Sequence, residues 1–251
     1  MSANSYLIDT HCHLHDREFF TAEQAEAMLE RAHAVNVQKV ICIGTNPADS
    51  LQACNFANAH KNVFWTYGIH PEYAGSFESC EADMLTSSGQ LVAIGEIGLD
   101  YHYDSFSRAA QLQLFEQMLQ LALNHNLPVS LHIRNAFDDA YAVLDNFPQI
   151  KGVIHSFTGS KKDLKKALAR DFYIGVNGLV TYTTPPIPPL GRILLETDAP
   201  FLTPVPFRGT MNEPSYVREV ATYLSEKLGV AETNLMEQTT KNAREIFQIQ
   251  C

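Results

Sequence analysis

Short apolar runs alternate along the chain with longer stretches in which apolar residues recur every three or four positions. The runs, each only a few residues long, read as strands, and the stretches between them read as amphipathic helices. Eight runs can be marked: Tyr6–Ile8, Lys39–Ile43, Val63–Tyr67, Leu91–Gly95, Val129–His132, Gly152–His155, Phe172–Val176 and Ile193–Leu195. Helices are expected over Ala22–Val35, Pro47–His60, Glu78–Thr86, Phe106–His125, Ala136–Phe147 and Ser160–Arg170. Two more are expected near the end, Pro214–Leu228 and Thr233–Phe247. The longest shows the helical period in Leu112, Phe115, Leu119 and Leu123. Thr21 and Thr233 are placed as N-caps, Pro47 as an opening residue, and Asn126 as a C-terminal cap ahead of Pro128.

The pattern breaks once. From Val180 to Arg192 the chain reads TYTTPPIPPLG, with four prolines and a glycine, and no ordinary helix fits. Strands followed by helices leave two α/β architectures, an open doubly wound sheet and a closed (β/α)8 TIM barrel. An open sheet would call for a glycine-rich phosphate loop after an early strand, and none is present. A barrel would call for chemistry at the ends of many strands. His11 and His13 follow the first run, His70 the third, Glu96 the fourth, His132 the fifth, His155 the sixth, and Glu196 and Asp198 the eighth. The expectation is therefore one barrel domain over residues 1–251, with the helix after strand seven reduced or missing.

Composition narrows the class. The 45% hydrophobic content supplies one large core, and no run approaches the length of a membrane span. The N-terminus shows no basic-then-apolar leader. Five cysteines, odd in number and without a C-x-x-C, fit free thiols in a reducing, cytoplasmic compartment. A net charge of −10 argues against coating DNA by bulk electrostatics but allows an enzyme that grips a few phosphates locally.

A barrel gathers all its strand ends into one ring. His11, His13, Glu96, His132, His155 and Asp198 would then meet in one pocket. His11 and His13, two apart on extended chain, point the same way, while Cys12 between them points into packing. Val92, Ile94 and Glu96 share a face in the same manner. Carboxylates at buried strand ends are costly unless something positive meets them, and imidazole with carboxylate suits Zn, Mn or Fe, or Mg where carboxylates and waters dominate. Six ligands exceed the needs of one tetrahedral ion and suffice for two divalent metal ions, with Glu96 the natural bridge. His33, His60 and His125 fall in helical segments and read as surface or helix-end residues, while His15 and His102 lie in loops beside the pocket.

The blocks IDTHCHLHD, GIHPEYA, GEIGLDYH, LHIRNA, HSFTGS, GVNGLVTY, LLETDAPFL and PFRGTMNEP resemble those of the TatD family of metal-dependent deoxyribonucleases, within the amidohydrolase-like barrels. The resemblance runs from Asp9 to KNAREIF. It implies a divalent-metal DNase, often a 3′ to 5′ exonuclease, with metal ligands at His11, His13, Glu96, His132, His155 and Asp198. His70 and Glu196 are implied to approach the metals in some members. The proline-rich stretch departs from the family, whose members usually carry a helix there.

The same residues suggest a mechanism. Two cations make a water acidic enough to attack phosphorus, and Asp198 is placed to take its proton. Phosphate contacts are expected from Arg134, two residues beyond His132, from Lys161 and Lys162 at a helix start, and from Arg208 after strand eight. Phe157, Tyr101 and Phe207 read equally as stacking partners for bases of a DNA substrate, or of another nucleic acid, and as packing within their loops. The rival function is a small-molecule lactonase, esterase or amidase on the same barrel, since a metal pair activates water for carbonyl substrates as well. A binding protein that has kept the barrel without activity is the other alternative, and the complete ligand set argues against it.

Overall fold

The computed structural model describes residues 5–75, 89–103 and 107–250. Eight strands form one parallel sheet in the order of the chain. They are β1 (Leu7–Cys12), β2 (Val37–Ile43), β3 (Val63–Tyr67), β4 (Leu91–Asp100), β5 (Val129–Arg134), β6 (Gly152–Ile154), β7 (Tyr173–Val176) and β8 (Ile193–Leu195). The sheet closes on itself. Cys12 bridges in parallel to Ala199, the Asp198 amide donates to the His11 carbonyl at 2.8 Å, and the His13 amide donates to the Ala199 carbonyl at 2.8 Å. The expected (β/α)8 TIM barrel is thus the fold.

Its helices are α1 (Ala22–Ala34), α2 (Pro47–Ala59), α3 (Arg108–His125), α4 (Phe137–Leu144), α5 (Lys161–Ala169), α6 (Val217–Leu228) and α7 (Glu232–Phe247). Local chemistry sets their ends. Thr21 and Gln24 form a capping box at α1, and Ser160 and Asp163 form one at α5. Asn46 caps α2 ahead of Pro47, and Asn126 ends α3 in the left-handed conformation. Thr233 is not a cap: Ala231 holds that position without a side-chain bond, and Thr233 lies inside α7. The expected helix over 78–86 falls outside the described residues, as does Phe106.

Between β7 and β8, among the described residues, there is no α-helix. The chain makes single 3-10 turns at Gly178–Thr181 and Leu190–Arg192, as its prolines dictate. Ile187 and Leu190 still pack on the core, and Val180 is buried in it, so the segment covers the barrel without a helix.

In β2 the residues alternate between two apolar layers, as a period of two requires. Val40 and Cys42 join the layer between sheet and helices, while Ile41 and Ile43 join a second cluster with Ile8, Val92, Val153, Leu194, Phe247 and Ile249. β4 departs from this: Val92 and Ala93 lie in one layer and Ile94 in the other, and the register shifts between Ile94 and Ile97. The expected shared face of Val92, Ile94 and Glu96 is therefore not kept. Phe247 and Ile249 come from the end of α7 and the residues after it. The end of α7 thus meets the barrel interior beside the residues that start β2 and β4. Burying each large apolar side chain contributes about 1.5–3 kcal/mol.

Candidate metal centre

The C-terminal ends of the strands carry the polar residues. β1 continues to Cys12, so His11 is a strand residue with no exposed surface, and His13 follows just past the strand end. Asp9, two residues earlier, anchors this segment. Its Oδ1 accepts from the Thr197 amide at 2.9 Å and the His11 amide at 3.3 Å, and its Oδ2 accepts from the Thr197 hydroxyl at 2.6 Å. Asp9 thereby ties β1 to the residues after β8. Burial pushes its carboxyl up to about 8 despite these donors.

β4 runs on to Asp100, five residues further than the apolar run suggests. Gly98 makes that possible: its φ is 141°, and a Cβ there would meet the His132 carbonyl oxygen at 2.0 Å. Glu96 is the hub. Its Oε1 lies 2.7 Å from His132 Nδ1, 2.8 Å from His155 Nε2 and 3.8 Å from His70 Nε2, and its Oε2 lies 3.5 Å from His11 Nε2. Burial alone would raise the Glu96 carboxyl, but the charge of His155 and the close approach of the His11, His132 and His155 rings hold it well below its ordinary range. His155 is raised well above its own: burial opposes its charge, and Glu96 and Glu196 more than offset that.

Asp198 follows β8 with φ 60°, a left-handed residue that turns the chain back toward the pocket. Its Oδ1 lies 3.5 Å from His11 Nε2 and 3.6 Å from His13 Nε2. Burial pushes its carboxyl up, and the bond from His13 and the charges of His11 and His155 bring it below its ordinary value. His70 is different: burial drives its imidazole down to about 4.

Among the described residues, three groups have ligand atoms close enough to share an ion: His11 with His13 and Asp198, His11 with Glu96 and His155, and His70 with Asp100 and His132. All six residues expected as ligands are brought together, and His70 joins them. Glu196 is fully buried behind His155, with its Oε1 3.7 Å from His155 Nδ1. It accepts from the Ser156 amide at 2.6 Å and the Asn177 side chain at 3.1 Å.

The donor set fits divalent ions. Both ring nitrogens of His11, Nδ1 of His155 and Oε2 of Glu196 are buried without a hydrogen bond among the described residues. Lone pairs of this kind are costly to bury unless a cation or donor meets them. Imidazole beside carboxylate, in two groups that share His11, is the chemistry of Zn, Mn and related ions.

Two acids escape the sequence reading. Asp9 is one. Asp100 is the other, its Oδ2 3.1 Å from His132 Nε2 and its Oδ1 accepting from the His102 amide at 2.8 Å. It orients the His132 ring toward Glu96 from behind. The available signal was spacing: Asp100 follows Glu96 by four, an even step along β4. For Asp9, two before His11, parity gives no guide, because β1 shifts register between Asp9 and Cys12.

Other expected residues are placed as follows. Arg134 ends β5, with its guanidinium 5.8 Å from the Tyr103 ring centroid. Lys161 and Lys162 are exposed at the start of α5. Arg208 is exposed in the loop after β8, 3.8 Å above the Tyr182 ring. The three stacking candidates are engaged within the fold. Phe157 is buried against Phe137, Phe207 stacks on Tyr216 at 4.3 Å, and Tyr101 lies under Arg108 with its hydroxyl donating to Asp139. His33 and His125 are exposed on helices, as expected, and His60 bonds Glu26. His15 is buried with Nε2 2.9 Å from Asp49 Oδ1.

Comparison with known proteins identifies this arrangement. The family model described as TatD related DNase matches residues 8–248. The chain belongs to the TatD-related DNase family. The metal-dependent hydrolase YabD of Bacillus subtilis is 34% identical over 257 residues, covering 97% of this chain and 99% of that one. A protein of Erwinia tasmaniensis named 3′-5′ ssDNA/RNA exonuclease TatD is 32% identical, covering 91% of this chain and 95% of its own length. The crystal structure of YjjV, a TatD homologue from Escherichia coli, superposes with a TM-score of 0.89 at 29% identity, covering 97% and 98% of the two chains. The TatD-type chain is thus a metal-dependent hydrolase whose His, Asp and Glu clusters suit metal binding.

Proposed function

We propose that the chain is a two-metal exonuclease acting on DNA, with single-stranded ends as its substrate and 3′ to 5′ as its direction. The observation that carries the reading is Glu96, buried within 4 Å of four imidazoles at the C-terminal strand ends. A relative that covers nearly this whole chain is named for that activity.

His11, His13, Glu96, His132, His155 and Asp198 would hold two ions of Mg, Mn or Zn, with Glu96 common to both. Divalent ions there supply Lewis-acid charge at a phosphoryl group and raise the acidity of water. The chain's own residues do the rest. Asp198, kept ionised beside His11 and His13, accepts the proton of the attacking water. Asp100 and Glu196 fix the rings of His132 and His155, and Asp9 fixes the backbone that carries His11. Arg134, Arg208, Lys161 and Lys162 hold neighbouring phosphates, the arginines with two donors each. Among the described residues no helix is long and apolar enough to cross a membrane. Buried free thiols at Cys12 and Cys42 suit a reducing cytoplasm.

The test is purified protein with end-labelled single-stranded DNA, with and without EDTA, across Mg, Mn and Zn. Metal-restored shortening from the 3′ end is expected. Indifference to DNA together with turnover of a lactone or amide would replace the reading by the small-molecule hydrolase.

A further inference from the structure

Large apolar side chains are unevenly exposed on this molecule. Seven are exposed among the described residues: Phe19, Val35, Leu51, Tyr103, Phe201, Val205 and Met211. Five of these stand on the loops that follow β1, β4 and β8, at the end of the barrel that carries the histidines and carboxylates. Only Val35 and Leu51 lie elsewhere, on or beside outer helices. Exposed apolar surface gathered at one functional face marks a contact site.

Of these residues, Phe201 is the one seen in ring contact with a histidine of the site. It is 46% exposed, three residues beyond Asp198. Its ring centroid lies 6.3 Å from that of His13, so it borders the His11, His13 and Asp198 group directly. Phe19, 39% exposed, meets it edge to face at 5.3 Å with an interplanar angle of 84°. The backbone beneath is fixed. The Phe201 amide donates to the Asp198 carbonyl at 2.8 Å, and the Phe201 carbonyl accepts from the side chain of Asn212, a residue with no exposed surface, at 2.6 Å. An exposed aromatic ring on a backbone fixed in this way, braced on one side by Phe19, is positioned for another flat apolar group.

The geometry points to Phe201, backed by Phe19, as a stacking platform for an unpaired nucleobase next to the phosphate at His13 and Asp198. The inference rests on the nuclease reading and assigns a subsite to it. A base inside a duplex has both faces covered by its neighbours, and a terminal paired base is tied to its complement, so this platform favours single-stranded ends, whose bases turn freely onto the ring. Stacking is tolerant of base identity, since every base has a π face. The platform therefore sets the preference for unpaired substrate rather than for sequence.

The test compares wild type with Phe201→Ala, Phe201→Leu and Phe201→Trp on single-stranded oligonucleotides ending in thymidine or in 5,6-dihydrothymidine. The saturated base keeps the hydrogen-bonding groups and loses the flat π system. Wild type should prefer thymidine by about tenfold in kcat/KM. Phe201→Ala and Phe201→Leu should cut thymidine ends about tenfold more slowly and lose the preference, with metal content unchanged, while Phe201→Trp keeps both. A terminal 2-aminopurine gives a second readout, because stacking quenches its fluorescence ahead of cleavage. Wild type should quench it and Phe201→Leu should not. Retention of the full thymidine preference and quenching in Phe201→Leu would overturn the platform while leaving the nuclease reading intact. Quenching by wild type without cleavage would refute the nuclease reading and uphold the platform.

Discussion

The two ends of the barrel are built from the same strands and share almost no chemistry. β1 begins with Leu7 and Ile8 in the apolar core and ends with His11 and Cys12, with Asp9 between. β4 begins with Val92 and Ala93 and ends beyond Glu96 at Asp100. At the N-terminal end, Phe247 and Ile249 pack on Ile8, Ile41, Ile43 and Leu194. At the C-terminal end, buried imidazoles and carboxylates stand within about 4 Å of one another, with four polar atoms unbonded. The difference shows how one fold separates its tasks: the apolar end supplies stability, and the polar end sacrifices some of it for a poised cluster of charge.

That separation can be broken from either side. The largest effect is expected from Asp198→Asn, which removes a charged ligand and the proton acceptor. Steady-state kinetics should show kcat reduced by about 10²–10⁴, with the urea midpoint of the metal-free protein unchanged or raised. A variant that unfolds outright would mean the polar end also holds the fold. At the other end, Phe247→Ala should destabilise by about 3–5 kcal/mol in urea melts, with kcat and bound metal kept below the transition. Loss of metal in the folded variant would show the ends to be coupled.

Smaller changes sharpen the boundary of the polar end. Arg134→Ala should weaken kcat/KM on single-stranded DNA by about 1.5–3 kcal/mol and reduce its salt dependence, leaving metal content alone. Equal losses on DNA and on a small activated phosphodiester would argue against a role in holding the chain. Asp100→Asn should lower metal affinity about 10–100-fold, measured by competition with a chelating dye. Affinity equal to wild type would mean that His132 needs no partner behind it.

The smallest effect concerns the loop that joins the two territories. Arg31 on α1 clamps Glu213, with Nε 2.9 Å and Nη2 2.5 Å from its carboxylate oxygens. Burial pushes the Glu213 carboxyl up, and bonds from Arg31 and Ser215 more than offset it, so its folded pKa is depressed. A depressed carboxyl stabilises the fold above its unfolded pKa of about 4.3, and that contribution fades as pH falls through the lower folded value. Because Arg31 is half exposed, the contribution is about 0.5–1 kcal/mol. Urea midpoints of wild type and Glu213→Gln should therefore differ at pH 7 and converge toward pH 3. A gap that widens on acidification would contradict the assignment.

The sequence carried the barrel and the six central residues because both rest on strong local signals. Apolar runs mark strands, and histidines at run ends stand out in any register. Asp9 and Asp100 were harder, since an acid beside a strand end looks like a solvated loop until the strand is known to continue past it. The run at Leu91–Gly95 hid five further residues of β4, because Glu96, Gly98 and Asp100 break the apolar pattern for the sake of the site. Phe157 and Phe207, open in sequence between base stacking and loop packing, were undecided for a different reason. An aromatic in a loop is ambiguous without its tertiary partners, and Phe137 and Tyr216 lie twenty and nine residues away in sequence. Phe201 was passed over on the same ground. The proline-rich stretch was readable as non-helical, because proline acts locally.

The central claim is that Glu96 is shared by two ions, and metal stoichiometry tests it most directly. Wild type and Glu96→Gln are to be reconstituted with manganese or zinc, freed of excess, and assayed for bound metal per chain. Two equivalents in wild type and neither in Glu96→Gln, with the fold retained by circular dichroism, is the predicted result. Two equivalents retained in Glu96→Gln, with turnover unimpaired, would contradict it.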